Sequence, residues 1–294
     1  MKGTVWFLLI SFGLAWVSWE LAIQSGIEVR SGALQLYALP GAFAAALAAI
    51  VVRKWITREG FADAGLRPAL KSWRYYLFAW LLPLAVVAFI ILEAMLLRIG
   101  QPDLGLERAM AAFPAIRELG VPSNSGFAIV PQVLVAAILA TPVLWGEEFG
   151  WRGYLQMRLF GGRPIAAAIA TGVIWGIWHF PLTLRGYNYP DHPVLGSLLF
   201  VLFAILMSYI FGWIYSRSGS IWTASLAHSA TNSVGNLSFL WLAGAAGPTV
   251  VGYAGLLALP PLAIVCAFLF WRDSRTGSSA SAGSGERRNA RSDI

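Results

Sequence analysis

Two adjacent carboxylates and an arginine, Glu147, Glu148 and Arg152, stand at the end of an apolar run from Phe127 to Trp145. Ionisable groups are costly inside a bilayer, so such a cluster marks a functional site unless it lies in solvent just past the end of a span. Two more polar pairs interrupt apolar runs: Trp175 with His179, and His228 with Asn232. A buried carboxyl poised between desolvation and a neighbouring cation could take a proton from water near neutral pH, with His179 sharing that water or passing the proton on. His228 and Asn232 have the side chains to donate hydrogen bonds to a developing oxyanion. Glu147, His179 and His228 could also hold zinc as a cofactor, although their spacing is not that of the helical His-Glu-x-x-His motif. Ser225 and Ser229 lie near, but no third residue completes a nucleophilic triad by spacing.

Helical geometry divides the acidic pair. Glu148 and Arg152 are four apart and share a face in the favourable Glu-then-Arg order. Glu147 is turned about 100° away, toward the face of Gly150, Trp151 and Tyr154. Arg152 then neutralises Glu148, and Glu147 is left for chemistry, with Trp151 and Trp175 as walls of a substrate cavity. The competing readings are a purely structural ion pair, core histidines with satisfied hydrogen bonds, and an Asn232 that ties two spans together. Glu20 and Glu93 also fall in or near apolar runs but belong to no motif, and His192 sits in a short loop.

The elements that must position these residues are membrane helices. Of 294 residues, 58% are hydrophobic and 12% charged, with a mean hydropathy of +0.67; a soluble domain carries about twice that charged fraction. Eight runs approach the length that crosses hydrocarbon, at 4–23, 33–52, 75–97, 127–148, 165–184, 194–215, 220–241 and 250–271. They predict an all-α polytopic transmembrane bundle of about eight spans over 1–273, with the site in a cavity within the membrane. The tail, 274–294, is too poor in apolar residues to pack and reads as disordered. Leu104–Leu119 reads as a surface-lying amphipathic piece or an apolar loop on the bundle.

The net charge of +7 does not argue for nucleic acid, because the basic residues sit in a few loops and the tail. Sixteen of the 21 Lys and Arg fall on one side of the eight-span scheme. That makes both termini cytoplasmic in an integral membrane protein, of the plasma membrane if the source is prokaryotic, with membrane lipid as a partner. The first run carries Glu20 and no clear small-x-small cleavage site, and so reads as an uncleaved span and not a signal peptide. The single Cys266 allows no internal disulfide.

Depth brings the three polar groups together. The helix of Glu147 continues to about Phe160, which puts Glu147 roughly 20 Å from the break at Gly161–Pro164. His179 lies roughly 22 Å along from Pro164, and His228 and Asn232 roughly 13 and 20 Å from Gly219. All can meet at one level of a bundle.

In that order and on separate spans, the Glu-Glu-x-x-x-Arg of 147–152, the aromatic-x-x-x-His of 175–179 and the His-x-x-x-Asn of 228–232 resemble the three motifs of the CPBP family. That family comprises type II CAAX prenyl proteases, bacteriocin-processing enzymes and Abi-type prokaryotic homologues. The resemblance covers roughly Val130 to Leu240, in a core at about 127–241, and is especially close to prokaryotic members at EEFGWRGYL and WGIWHFP. It implies an intramembrane endopeptidase acting on a membrane-associated or lipidated peptide. In the family, the residues matching Glu147 and His179 activate water, and those matching His228 and Asn232 stabilise the oxyanion. Trp175 departs from the eukaryotic pattern, which has Phe there. The label metalloprotease is common for the family, and its metal use is described both ways. The alternatives are a non-catalytic immunity protein that sequesters a peptide, and an ion- or proton-coupled transporter, which the lack of internal repeats disfavours.

Overall fold

Most of the long apolar runs become long helices, two of them with a proline inside, Pro83 and Pro142. The computed structural model describes residues 2–29, 32–103, 105, 126–235, 237–243 and 246–289. Apart from Gly105, the segment Leu104–Leu119 lies outside them, as do the side chains of the tail from 276 onward. Among the described residues the only strands are Gln101–Pro102 and Leu242–Ala243, an antiparallel pair with Gln101 opposite Ala243. The fold is all-α.

The chain begins with α1 (Lys2–Gln24), then three short helices, α2 (Gly32–Tyr37), α3 (Leu39–Ala42) and α4 (Ala44–Val51). A π-helical turn, Val52–Ile56, ends α4. Next come α5 (Trp73–Leu96) and α6 (Ile129–Gly150), the latter running straight into a second π-helical turn, Trp151–Gln156. After these stand α7 (Pro164–Trp178), α8 (Phe180–Thr183), α9 (Pro193–Ser218) and α10 (Ile221–Val234). The chain continues through α11 (Leu237–Leu240) and α12 (Pro248–Val251) into α13 (Leu259–Asn289).

Among the described residues, five helical stretches are long and apolar enough to cross a membrane: Lys2–Gln24, Leu70–Leu96, Ile129–Gln156, Pro193–Ser218 and Pro248–Arg275. The other three expected spans are helical but shorter or divided. The second is split among α2, α3 and α4, while α7 has 15 residues and α10 has 14. α7 stops at His179 because Pro181 has no N–H to continue the ladder.

α7 packs along α9, and α10 lies against α6 and α5. Gly172 and Gly176, four apart on α7, permit the first contact. A Cβ on Gly172 would lie 2.3 Å from the Ile205 Cα, and one on Gly176 2.8 Å from the Val201 Cα. Small residues at this spacing let two helix backbones approach closely. On the other flank α4 packs on α6 and α1 through Ala44, Ala45, Ala48 and Ala49, all fully buried. α1 is tied to the end of α7 by two indoles: Trp16 donates to the Trp178 carbonyl at 2.9 Å, and Trp178 to the Ser11 carbonyl at 3.2 Å. Side chains of α6, α7 and α10 thereby reach one common cavity.

Candidate active site

The last turn of α6 carries both carboxylates, and their surroundings differ. Glu148 and Arg152 are wholly buried, joined by Arg152 Nη1 donating to Glu148 Oε1 at 2.9 Å. The same oxygen accepts from His228 Nδ1 at 2.8 Å. Arg152 Nη2 donates to Ser208 Oγ at 3.0 Å, and the guanidinium lies 4.6 Å from the Trp175 ring centroid and 5.0 Å from that of Phe211. Glu148 Oε2 and Arg152 Nε have no hydrogen-bond partner, so the pairing runs through one oxygen.

Glu147 instead lines a cavity of about 630 Å³. Trp175 Nε1–H donates to its Oε2 at 2.9 Å. The carbonyl of the same tryptophan accepts from His179 Nδ1 at 2.8 Å. A carbonyl can only accept, so the proton sits on Nδ1 and Nε2 carries the lone pair. The backbone makes this possible: the His179 N–H bonds the Gly176 carbonyl instead, at 3.2 Å, as α7 tightens at its end. One residue, Trp175, therefore holds both Glu147 and His179.

His228 is fixed in the same manner. Its Nδ1–H points at Glu148, and its ring stands edge-on to Trp175, with centroids 5.2 Å apart. Asn232, one turn further along α10, is exposed into the cavity. Glu147, Trp175, His179, His228 and Asn232 all line this one space, whereas Glu148 and Arg152 stand behind its wall.

Residues 126–234 match the family model described as Type II CAAX prenyl endopeptidase Rce1-like. That segment contains all three motifs. The match supports the resemblance of these motifs to the CPBP family. A stretch of 112 residues is also 32% identical to CAAX prenyl protease 2 of Methanococcus maripaludis, covering 35% of this chain and 39% of that protein. The chain thus spans about two fifths of the length of the curated relative it matches.

Within this matched segment, the i, i+4 pair of Glu148 and Arg152 stands where helical spacing puts it. Trp151 does not stand where the sequence reading put it. It is fully buried and packs on Phe7 and Trp178, at centroid separations of 5.6 and 5.5 Å, and is not among the residues that line the cavity. The wider π-helical turn starts at Trp151, so face assignments carried forward from Glu147 at the α-helical angle drift there. Trp175 does line the cavity, but its two hydrogen bonds give it a larger part than a wall. Glu20 pairs with Arg185 at 2.9 Å, and neither it nor Glu93 lines the cavity.

Several cavity residues carry no motif: Tyr253 and Pro248 on one wall, Trp19 and Ala38 on another. They come from outside residues 126–234, and no spacing rule links them to the site. The zinc reading has a geometric test. Among the described residues no three His, Cys, Asp or Glu side chains converge at metal-binding spacing. The residues present do not fit a zinc site, and no step below is routed through a metal.

Proposed function

We propose that the chain is an intramembrane endopeptidase that hydrolyses a peptide bond in a membrane-associated or lipidated peptide. The observation that carries this reading is the division of the acidic pair: Glu147 lies on the cavity wall beside His179, while Glu148 is engaged behind it. A water between Glu147 and His179 Nε2 meets two acceptors, which engage both of its protons and leave a lone pair of its oxygen to attack. Its oxygen adds to the scissile carbonyl carbon, the carbonyl π electrons move onto oxygen, and Glu147 takes the proton. Collapse of the tetrahedral intermediate breaks the C–N bond. The proton passes to the leaving amine, giving one new carboxyl end and one new amino end.

The Asn232 amide can donate to the oxyanion as it stands. His228 can do so only when doubly protonated, because its Nδ1–H is already given to Glu148. With His228 protonated, Glu147, Glu148, Arg152 and His228 sum to zero charge, so the cluster is neutral when it holds the extra proton. The relative's name points to a prenylated C-terminal peptide as the first substrate to test. Apolar walls including Phe200, Phe203 and Met207 suit a chain that brings a lipid with it.

We also propose that the loop between α4 and α5 and both termini face the cytoplasm, supported by the concentration of Lys and Arg there. The test of function is cleavage of a prenylated and an unmodified peptide library by purified protein, with and without chelator followed by zinc. Cleavage that survives stripping supports glutamate–water chemistry; loss with recovery on zinc overturns the metal-free mechanism. Tight peptide binding without cleavage would assign the chain to sequestration instead.

A further inference from the structure

A second cavity, of about 590 Å³, opens where the start of α5, the end of α9 and the helix α13 meet. Three cations line it, Lys71, Arg74 and Arg272, together with Trp73, Phe78 and Phe268, and no carboxylate does. We propose that this cavity is a binding site for an acidic phospholipid, with the headgroup phosphate among the three cations and an acyl chain along the aromatic floor. The site is separate from the hydrolytic reading and stands without it.

Three features favour a lipid over a soluble anion. The cavity lies at the ends of stretches long and apolar enough to cross a membrane, Leu70–Leu96 and Pro248–Arg275, which puts it at the level of headgroups. Two of its aromatics are open to the surface: Trp73 is 58% exposed and Phe268 53%. Aromatic side chains at span ends settle at the membrane interface. The floor is therefore continuous with the surface that faces acyl chains.

Charge supplies the selectivity. The guanidinium of Arg74 lies 5.8 Å from the Trp73 ring centroid and that of Arg272 lies 5.2 Å from the Trp213 centroid, so both cations sit over the aromatic rim. The nearest acid on α13, Asp273, accepts from Trp213 Nε1 at 3.0 Å and pairs with Arg217, which partly offsets its charge. The positive end of the 24-residue helix α5 adds to the field at the same place. Basic pockets between spans on the cytoplasmic side attract anionic lipid headgroups, whereas a zwitterionic headgroup gains little from them.

The test is native mass spectrometry of the full chain in detergent, titrated with phosphatidylglycerol and phosphatidylcholine of identical acyl chains. Phosphatidylglycerol should bind about tenfold more tightly or better, and the preference should fall about fivefold for each cation removed among Lys71→Gln, Arg74→Gln and Arg272→Gln. Salt at about 0.5 M should erase the preference in the unaltered chain, a result that needs no variant to fold. A triple change at Lys54, Arg67 and Arg163, which remove the same charge elsewhere, should leave it intact. Equal binding of the two lipids, or a preference kept by the triple Gln variant, overturns the proposal. An equal loss in the control variant shows general surface attraction and overturns it too. If inorganic phosphate displaces phosphatidylglycerol at equal concentration, the site takes a free anion and the lipid assignment falls.

Discussion

Glu147 and Glu148 are neighbours on one helix turn to which the proposed mechanism gives different duties, and substitution should separate them. Glu147→Gln keeps the size of the side chain and leaves an amide oxygen to accept from Trp175 Nε1. It should lower cleavage by about a hundredfold or more through loss of the proton acceptor, with thermal unfolding in detergent unchanged. Arg152→Met should do the reverse damage. It strands a fully buried carboxylate that also holds His228, and breaking such a pair by removing one partner costs about 3–5 kcal/mol. The readout is the unfolding midpoint, expected to drop sharply.

At the scale of elements, the site depends on helices held close and on turns that depart from the α-helix. Gly172→Ala would drive a Cβ into the Ile205 backbone, so α7 and α9 must move apart. Overpacking of this kind costs about 1–3 kcal/mol, measurable as lost stability. The π-helical turn after Glu148 is held from outside. Arg53, fully buried, donates to the Gly153 carbonyl at 2.8 Å, to the Gly60 carbonyl at 2.6 Å and to Asp63 Oδ1 at 2.7 Å. The hydrogen bond and charge of Arg53 hold the Asp63 carboxyl below the usual carboxylate range, against a smaller opposing effect of burial. A depressed folded value means this contribution is present above the unfolded value, about pH 4, and is lost as pH falls through the folded one. Limited proteolysis of the 57–66 loop should therefore accelerate in acid, and Asp63→Asn should flatten that dependence.

How far these features could be read beforehand follows from the range of each rule. The Glu148–Arg152 bond was legible because four-residue spacing is local and fixed. The convergence of Glu147, His179 and His228 on one cavity was legible through helical rise counted from the breaks at Gly161–Pro164 and Gly219. Trp151 was misplaced because nothing in the residues WRGYLQ announces a π-helical turn. The double role of Trp175 depends on the His179 N–H choosing the Gly176 carbonyl, which a motif does not reveal. Arg53 reaches Gly153 across 100 positions, and only the packed fold brings them together.

For the whole molecule, the segment 126–234 supplies the polar groups, while the flanking helices close the space around them. α1 and α3 contribute Trp19 and Leu39 to one side of the cavity, and the segment after α11 contributes Tyr253 to another. Substrate selection is thus expected to lie outside the motifs. Exchanging Trp19 for Ala should change which lipidated peptide is preferred in a competition assay, while leaving Glu147 essential with every substrate. Orientation has its own test: a cysteine placed in the 57–66 loop should react with a membrane-impermeant thiol reagent only from the cytoplasmic side.

The most direct measurement compares wild type, Glu147→Gln and Glu148→Gln in single-turnover cleavage of one lipidated peptide, with binding and unfolding recorded on the same samples. Wild type is expected to cleave, and Glu147→Gln to bind the peptide and stay folded while cleavage falls by about a hundredfold or more. Glu148→Gln is expected to lose stability as well as rate. A folded Glu147→Gln protein that cleaves at the wild-type rate would contradict the assignment of Glu147 as the group that activates water.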